Sequence, residues 1–237
     1  EEATVSFRIA AGEGALSAMY PVHVYASFER DGQEVTAHAV RIFETAFEKT
    51  VVEAAETTEL PINTVPMNGA LPLWSLGTHR VAWRYYDTRL IYTPVGWRGS
   101  SPQSAADFSI GQITRGGTKH TIVMHPPWKP GGGTIFAEYR LKLPEASPIT
   151  LTFANAIRDH TAAEPPSDGV TFRVWVGEEV LFERHTDSKR WVEGTADLSR
   201  YAGQTILLRL ESHPGPQRNT TCDSSYWGEP TVLAGAI

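Results

Sequence analysis

The chain of 237 residues contains one cysteine, Cys222, which excludes an internal disulfide and every zinc site built on paired thiolates. It contains no apolar run of about 18 residues, so it offers no membrane-spanning helix, and no partnership with a membrane is expected. No charged-then-apolar leader stands at its start. A chain that begins at Glu1 without Met reads as mature or trimmed, which leaves open that a leader has been removed. Basic runs are also missing. Lys and Arg are scattered among carboxylates, the formal net charge is −6 and the isoelectric point is near 5.8. Nucleic acid is therefore not an expected partner, because phosphate binding needs concentrated positive charge. His-Glu-x-x-His, Gly-x-Ser-x-Gly and the phosphate-binding P-loop are all absent.

What is present is alternation. TVSFRIA, VHVYASFERDGQEVTAHAVRIF, HRVAWRYYDTRLIY, HTIVMH, TIFAEYRLKL, ITLTFANAI, VTFRVWV, EVLFER and TILLRLE carry apolar residues at the period of two that marks half-buried strands. Asp31-Gly32 and Gly177-Glu178-Glu179 read as hairpin turns. Residues 44 to 59, ETAFEKTVVEAAETTE, have helical composition without a clean 3.6 spacing, and helix and extended chain both remain open there. The Pro-, Gly- and Ser-rich stretch 93 to 107 separates two strand-rich halves. It defines an expected division into an N-terminal β region, 1–103, either immunoglobulin-like or extra strands of the same body, and a second domain, 104–237. The six or seven strands expected in the second part, with turn residues at regular intervals, make it an all-β sandwich.

Five motifs follow one another in that second part: HTIVMHPPW (120–128), AEYRLKLP (137–144), DGVTFRVWVGEEV (168–180), DLSRYAGQTILLRLE (197–211) and DSSYWGEP (223–230). In this order they resemble the NPCBM group of carbohydrate-binding modules found beside glycoside hydrolase domains. More broadly, they resemble the galactose-binding-like jelly rolls, over about residues 105 to 235. The resemblance implies a jelly-roll-like β-sandwich and a noncatalytic role in binding a polysaccharide. It also implies a bacterial, secreted or periplasmic protein in which the chain is fused to a glycan-degrading catalytic domain. Jelly rolls of this kind often hold a structural calcium, for which Asp168, Asp223 and Glu229 are the candidate ligands.

A sugar ring packs its C–H face on an indole and needs fixed donors and acceptors for its hydroxyls. On the strand 170–176, Val170, Phe172, Val174 and Val176 point to a core, while Thr171, Arg173 and Trp175 share the other face, so Trp175 beside Arg173 is a candidate platform. Trp128, flanked by Lys129 and three glycines, is a second exposed aromatic. Loops offer further candidates: Arg158, Asp159 and His160; His185, Asp187, Arg190 and Trp191; and His213, Arg218, Asn219, Asp223, Tyr226 and Trp227. If these three loops meet at one end of the sandwich they form a polar, aromatic site. Trp227 and Pro230 match the structural tail of the family the chain resembles, which implies that Trp227 is core, and Cys222 is expected to be a small unreactive residue. Two rival readings belong to other classes. One is a structural or protein-interaction sandwich without glycan affinity; the other is a polysaccharide lyase using His79, Arg84, Tyr85 and Tyr86.

Overall fold

In the computed structural model, which describes residues 6, 8, 9, 19–44, 59–86 and 88–235, the protein is nearly all β. Two seven-stranded sheets face each other. The first runs β13 (Glu179–Thr186), β12 (Val170–Val176), β15 (Thr205–His213), β10 (Gly133–Lys142), β5 (Arg80–Tyr85), β6 (Ile91–Tyr92), with β3 (Ile62–Thr64) also on β10. The second runs β14 (Val192–Asp197), β11 (Ile149–Ile157), β16 (Ser225–Ala234), β9 (Thr118–His125), β8 (Asp107–Thr114), β7 (Gly99–Ser100), with β4 (Gly69–Pro72) also on β16. Strands from either side of residue 103 thus share both sheets. β3 is parallel to β10 and β5 antiparallel to it, while β7 pairs with β8. The stretch 93–107, expected to separate two halves, carries the chain from one sheet to the other.

The core lies where the two inner faces interdigitate. Phe172, Val174 and Val170 come from β12, as the alternation predicts, with Leu208 and Leu210 from β15 and Ile122 and Met124 from β9. Trp227 is fully buried at the centre, with Phe153 and Phe172 at 5.1 and 5.2 Å between ring centroids. Its indole N–H donates to Ser212 Oγ at 3.2 Å, so the polar edge of the ring is not stranded. Nine strands, β8 to β16, lie after residue 103, more than the six or seven expected. The additional ones, DFSIGQIT and VEGTAD, are interrupted by glycine and polar residues.

A separate two-stranded sheet pairs β1 (Met19–Arg30) with β2 (Gln33–Glu44). Its turn is the expected one: Asp31 and Gly32 both have positive φ, 54° and 76°, the geometry of a tight hairpin turn. The segment of helical composition, residues 45–58, and most of TVSFRIA lie outside the described residues.

Candidate functional site

Four connections cross between the sheets at one end of the sandwich: β9 to β10, β11 to β12, β13 to β14 and β15 to β16. Register fixes this end, since Ile157 pairs with Ser225, Ser225 with Met124, Val170 with Thr186 and Thr171 with His213. The three loops singled out by their side chains therefore do gather. They are laced together by Ile157 N–H to Ser188 O and Arg158 N–H to Ser224 O, and by Ser167 Oγ donating to Asp223 Oδ1 at 2.7 Å.

Most of the expected ligand residues at this end already have intramolecular partners. Arg158 donates to Glu164 at 2.6 Å and to the carbonyl of Asp159, and the Asp159 carboxylate receives Arg115 at 2.6 Å. His185 lies between Thr171 Oγ1 and the Asp168 carbonyl, both at 3.0 Å, against the glycines at 169 and 215, where a Cβ would strike its ring. Trp191 lies over Gly228 on the second sheet, its N–H donating to Gly117 O at 2.8 Å, beside Tyr226, on which Arg115 stacks at 5.2 Å. Arg190 is exposed. Trp128 is 40 % exposed, as its glycine-flanked position predicts, with the Lys129 ammonium 5.6 Å from its ring.

Trp175 and Arg173 are on the outer face of the first sheet, as the period requires, but both are only half-buried and both are tethered. The Trp175 N–H donates to Glu211 Oε2 at 2.7 Å, and Arg173 spans Glu183 and Glu211. Glu211 is itself buried and also accepts from Thr134. The indole plane is thus held by the buried carboxylate beside it.

Two acids at the loop end differ from these paired groups. Asp168 Oδ1 and Asp223 Oδ2 are buried with no hydrogen-bond partner among the described residues. Burial pushes the Asp168 carboxyl up to about 6 and the Asp223 carboxyl well above the usual carboxylate range, with Asp168 adding like-charge repulsion to Asp223. Asp168 and Ser167 border a cavity of about 610 Å³ that Gln217 also lines, together with His38 and Arg41 of the hairpin. Gln217 and the hairpin residues escaped the sequence reading, because nothing in the chain indicates that β2 reaches this loop.

A hard cation takes six to eight oxygens. The two unpartnered carboxylate oxygens at Asp168 and Asp223 fit that donor chemistry. Glu229 does not join them: it lies on the outer face of the second sheet and pairs with Lys119 at 3.3 Å, because Gly228 and Glu229 continue β16 away from the loop end. Among the described residues, no group of three or more His, Cys, Asp or Glu side chains is placed to hold a metal ion, so main-chain or solvent oxygens would have to complete a calcium shell at the pair.

The four residues of the lyase reading do not converge. His79 is fully buried, its two ring nitrogens 3.1 and 3.0 Å from the Leu76 and Trp97 carbonyls. Arg84 lies over Phe136 on the outer face. Tyr85 Oη donates to Lys129 O at 3.0 Å, and the buried Tyr86 hydroxyl, pushed upward by burial, lies beneath the Arg218 guanidinium with no hydrogen-bond partner among the described residues.

No family model matches the chain. An uncharacterized protein of Archaeoglobus fulgidus is 33 % identical over 92 residues, which cover 35 % of this chain and 23 % of that protein. The chain thus spans about a quarter of the length of this curated relative. Among solved structures, the chain is similar to a family 51 carbohydrate-binding module of Clostridium perfringens in complex with methyl-galactose. Identity is 13 % and TM-score 0.40, over 70 % of this chain and 100 % of that one. It is also similar to tandem modules of the same family from a Streptococcus pneumoniae glycoside hydrolase, with 9 % identity and TM-score 0.41 over 93 % and 72 % of the two chains. A family 35 module of Clostridium thermocellum gives 12 % identity and TM-score 0.32 over 55 % and 88 %.

Proposed function

We propose that the protein is a noncatalytic saccharide-binding module and that its ligand enters the cavity at the loop end. The observation that carries this reading is the unpartnered carboxylate oxygen of Asp168 beside a polar cavity of about 610 Å³. Buried polar groups are normally hydrogen-bonded, and a sugar supplies hydroxyl donors in the density this site lacks. Gln217 and Arg41 offer an amide and a guanidinium to the same ligand. At about 610 Å³ the cavity is within the range of small-molecule sites and large enough for more than one sugar ring.

Calcium belongs to this reading as a structural ion held by Asp168 and Asp223, and where it is bound it competes with the sugar hydroxyl for the Asp168 oxygen. Such an ion would supply positive charge between two carboxylates that otherwise repel each other. Secretion and fusion to a glycan-degrading domain complete the proposal, supported by the sequence resemblance over residues 105 to 235.

Affinity electrophoresis on a panel of neutral, acidic and sulfated polysaccharides, with a product assay on the same samples, tests it. The expected result is retardation on one polymer without product, lost in Asp168→Asn and weakened in Gln217→Ala. Product formation would move the protein to the enzyme class, and no retardation on any polymer would leave the structural sandwich standing. In the same series, calcium is expected to raise the melting temperature of the native chain and not that of Asp168→Asn.

A further inference from the structure

The other end of the sheet order carries a second cavity. β6 and β7 are the edge strands of the two sheets, and the chain between them, 93–98, spans the gap. Its course is fixed from inside. His79 lies within hydrogen-bond distance of the Trp97 carbonyl, and its own carbonyl accepts from Gly96 N–H at 2.7 Å. Gly96 has a φ of 77° and approaches Gly77 O so closely that a Cβ would lie 2.9 Å from it. Backbone bonds between Ser101 and Ala106 set the following turn. Together these contacts give a preformed cavity of about 340 Å³.

Its lining is unlike that of the loop-end cavity. Four aromatic rings, Trp83, Tyr85, Tyr92 and Trp97, are interleaved with neutral polar side chains such as Ser100 and Gln103, and among the described residues no charged side chain lines it. Trp83 and Trp97 pack against each other as a tilted pair, with ring centroids 5.9 Å apart at 44°, and Trp97, half-buried where Trp83 is buried, presents the more accessible indole face. The Trp83 N–H is buried without an acceptor among the described residues. Gln103 accepts from Ser101 at 3.4 Å through its carbonyl oxygen, which directs its amide NH₂ elsewhere. Indole faces suit the C–H face of a pyranose, while an unpaired N–H, an amide and hydroxyls suit its rim. Among the described lining residues a carboxylate or sulfate finds no cation, and Arg80, which stacks on the Tyr92 ring, is already paired with Glu138, so such an anion would have to be desolvated without a partner of its own. The volume is at the lower limit of small-molecule sites, about 300 Å³, which fits one ring and not a chain.

We propose that this edge cavity is a second saccharide site, separate from the loop end, for a single uncharged pyranose such as the terminal residue of a neutral glycan. Isothermal titration of the full chain with neutral methyl pyranosides, and with glucuronate as the charged counterpart, tests it. The expected result is binding of at least one neutral pyranoside, weakened about tenfold in Trp97→Ala, equivalent to about 1.4 kcal/mol. Gln103→Ala should weaken it several-fold. Should Trp97→Ala lose its cooperative melting transition, Gln103→Ala decides alone. Failure of every neutral pyranoside to bind, preference for glucuronate, or loss in Asp168→Asn in place of the cavity variants would each overturn the proposal. Retained pyranoside binding in a chain whose polysaccharide retardation has proved independent of Asp168 would remove the loop-end reading and leave this one standing.

Discussion

At the scale of single residues, Asp168 is where an ordinary turn carboxylate acquires a measurable consequence. Its folded-state pKa is pushed by burial from 3.8 up to about 6, opposed in part by its backbone hydrogen bond and by His185. A carboxyl that holds its proton more tightly when folded binds more protons in the native state between those two values. Its contribution therefore makes the protein less stable as pH rises through that window. His125 and His213, both lowered chiefly by burial, act with the opposite sign, since the unfolded chain takes up their protons first. Comparison with a variant separates the two effects. In metal-free buffer, Asp168→Asn is expected to raise the melting temperature more at about pH 7 than at about pH 4.5. A gain that is equal at both values, or larger in acid, would mean that the Asp168 carboxylate is solvated and not stranded. The pairing of Asp168 with Asp223 was legible in the chain only as two residue types suited to calcium. Their closeness depends on β11–β12 and β15–β16 connections that no local pattern encodes.

At the scale of elements, β12 shows how far periodicity reaches. Alternation placed Phe172 and Val174 inside and Arg173 and Trp175 outside, and the structure agrees. It could not reveal that Glu211 of β15 lies directly across from Arg173 and is buried beneath these side chains. Register between residues 38 positions apart is a tertiary fact. Nor did periodicity find β8 and β14, where Gly111 and Gly194 interrupt the alternation. At residue 194 the backbone passes so near the Phe153 ring that a Cβ would lie 2.6 Å from it, so the residue that hides the strand from a pattern search is the one that lets the strand pack. The tether at Trp175 predicts a structural role for this ring. Trp175→Phe keeps the aromatic face but leaves Glu211 short of one donor, and is expected to cost about 1–3 kcal/mol of stability in denaturant unfolding. Polysaccharide retardation should be unchanged. A variant of native stability with lost retardation would return Trp175 to the role of a binding platform.

At the scale of the whole molecule, the division expected near residue 103 meets a fold in which β10 receives neighbours from both sides of it. On one flank β10 pairs with β15; on the other it pairs with β5, and β3 runs parallel to its C-terminal part. Removing residues 59–103 would strip β3 to β7 from the two sheets and unpair one long edge of β10. It would also expose Tyr139, Ile135 and Phe108, which pack near Val81, Trp83 and His79 in the buried cluster. Exposed apolar faces and unpaired edges favour association over folding. A chain starting at residue 104 is therefore expected to lack a cooperative melting transition and to aggregate. One starting at residue 59 should melt cooperatively and keep the edge cavity, because all of its lining from Trp83 to Ser104 is retained. The second chain would lack the hairpin wall supplied by His38 and Arg41. If the loop-end cavity is the principal site, polysaccharide retardation should weaken in this shortened chain while its affinity for neutral pyranosides stays constant. A shortened chain that retained full polysaccharide affinity would show that the hairpin stands beside the site without forming part of it.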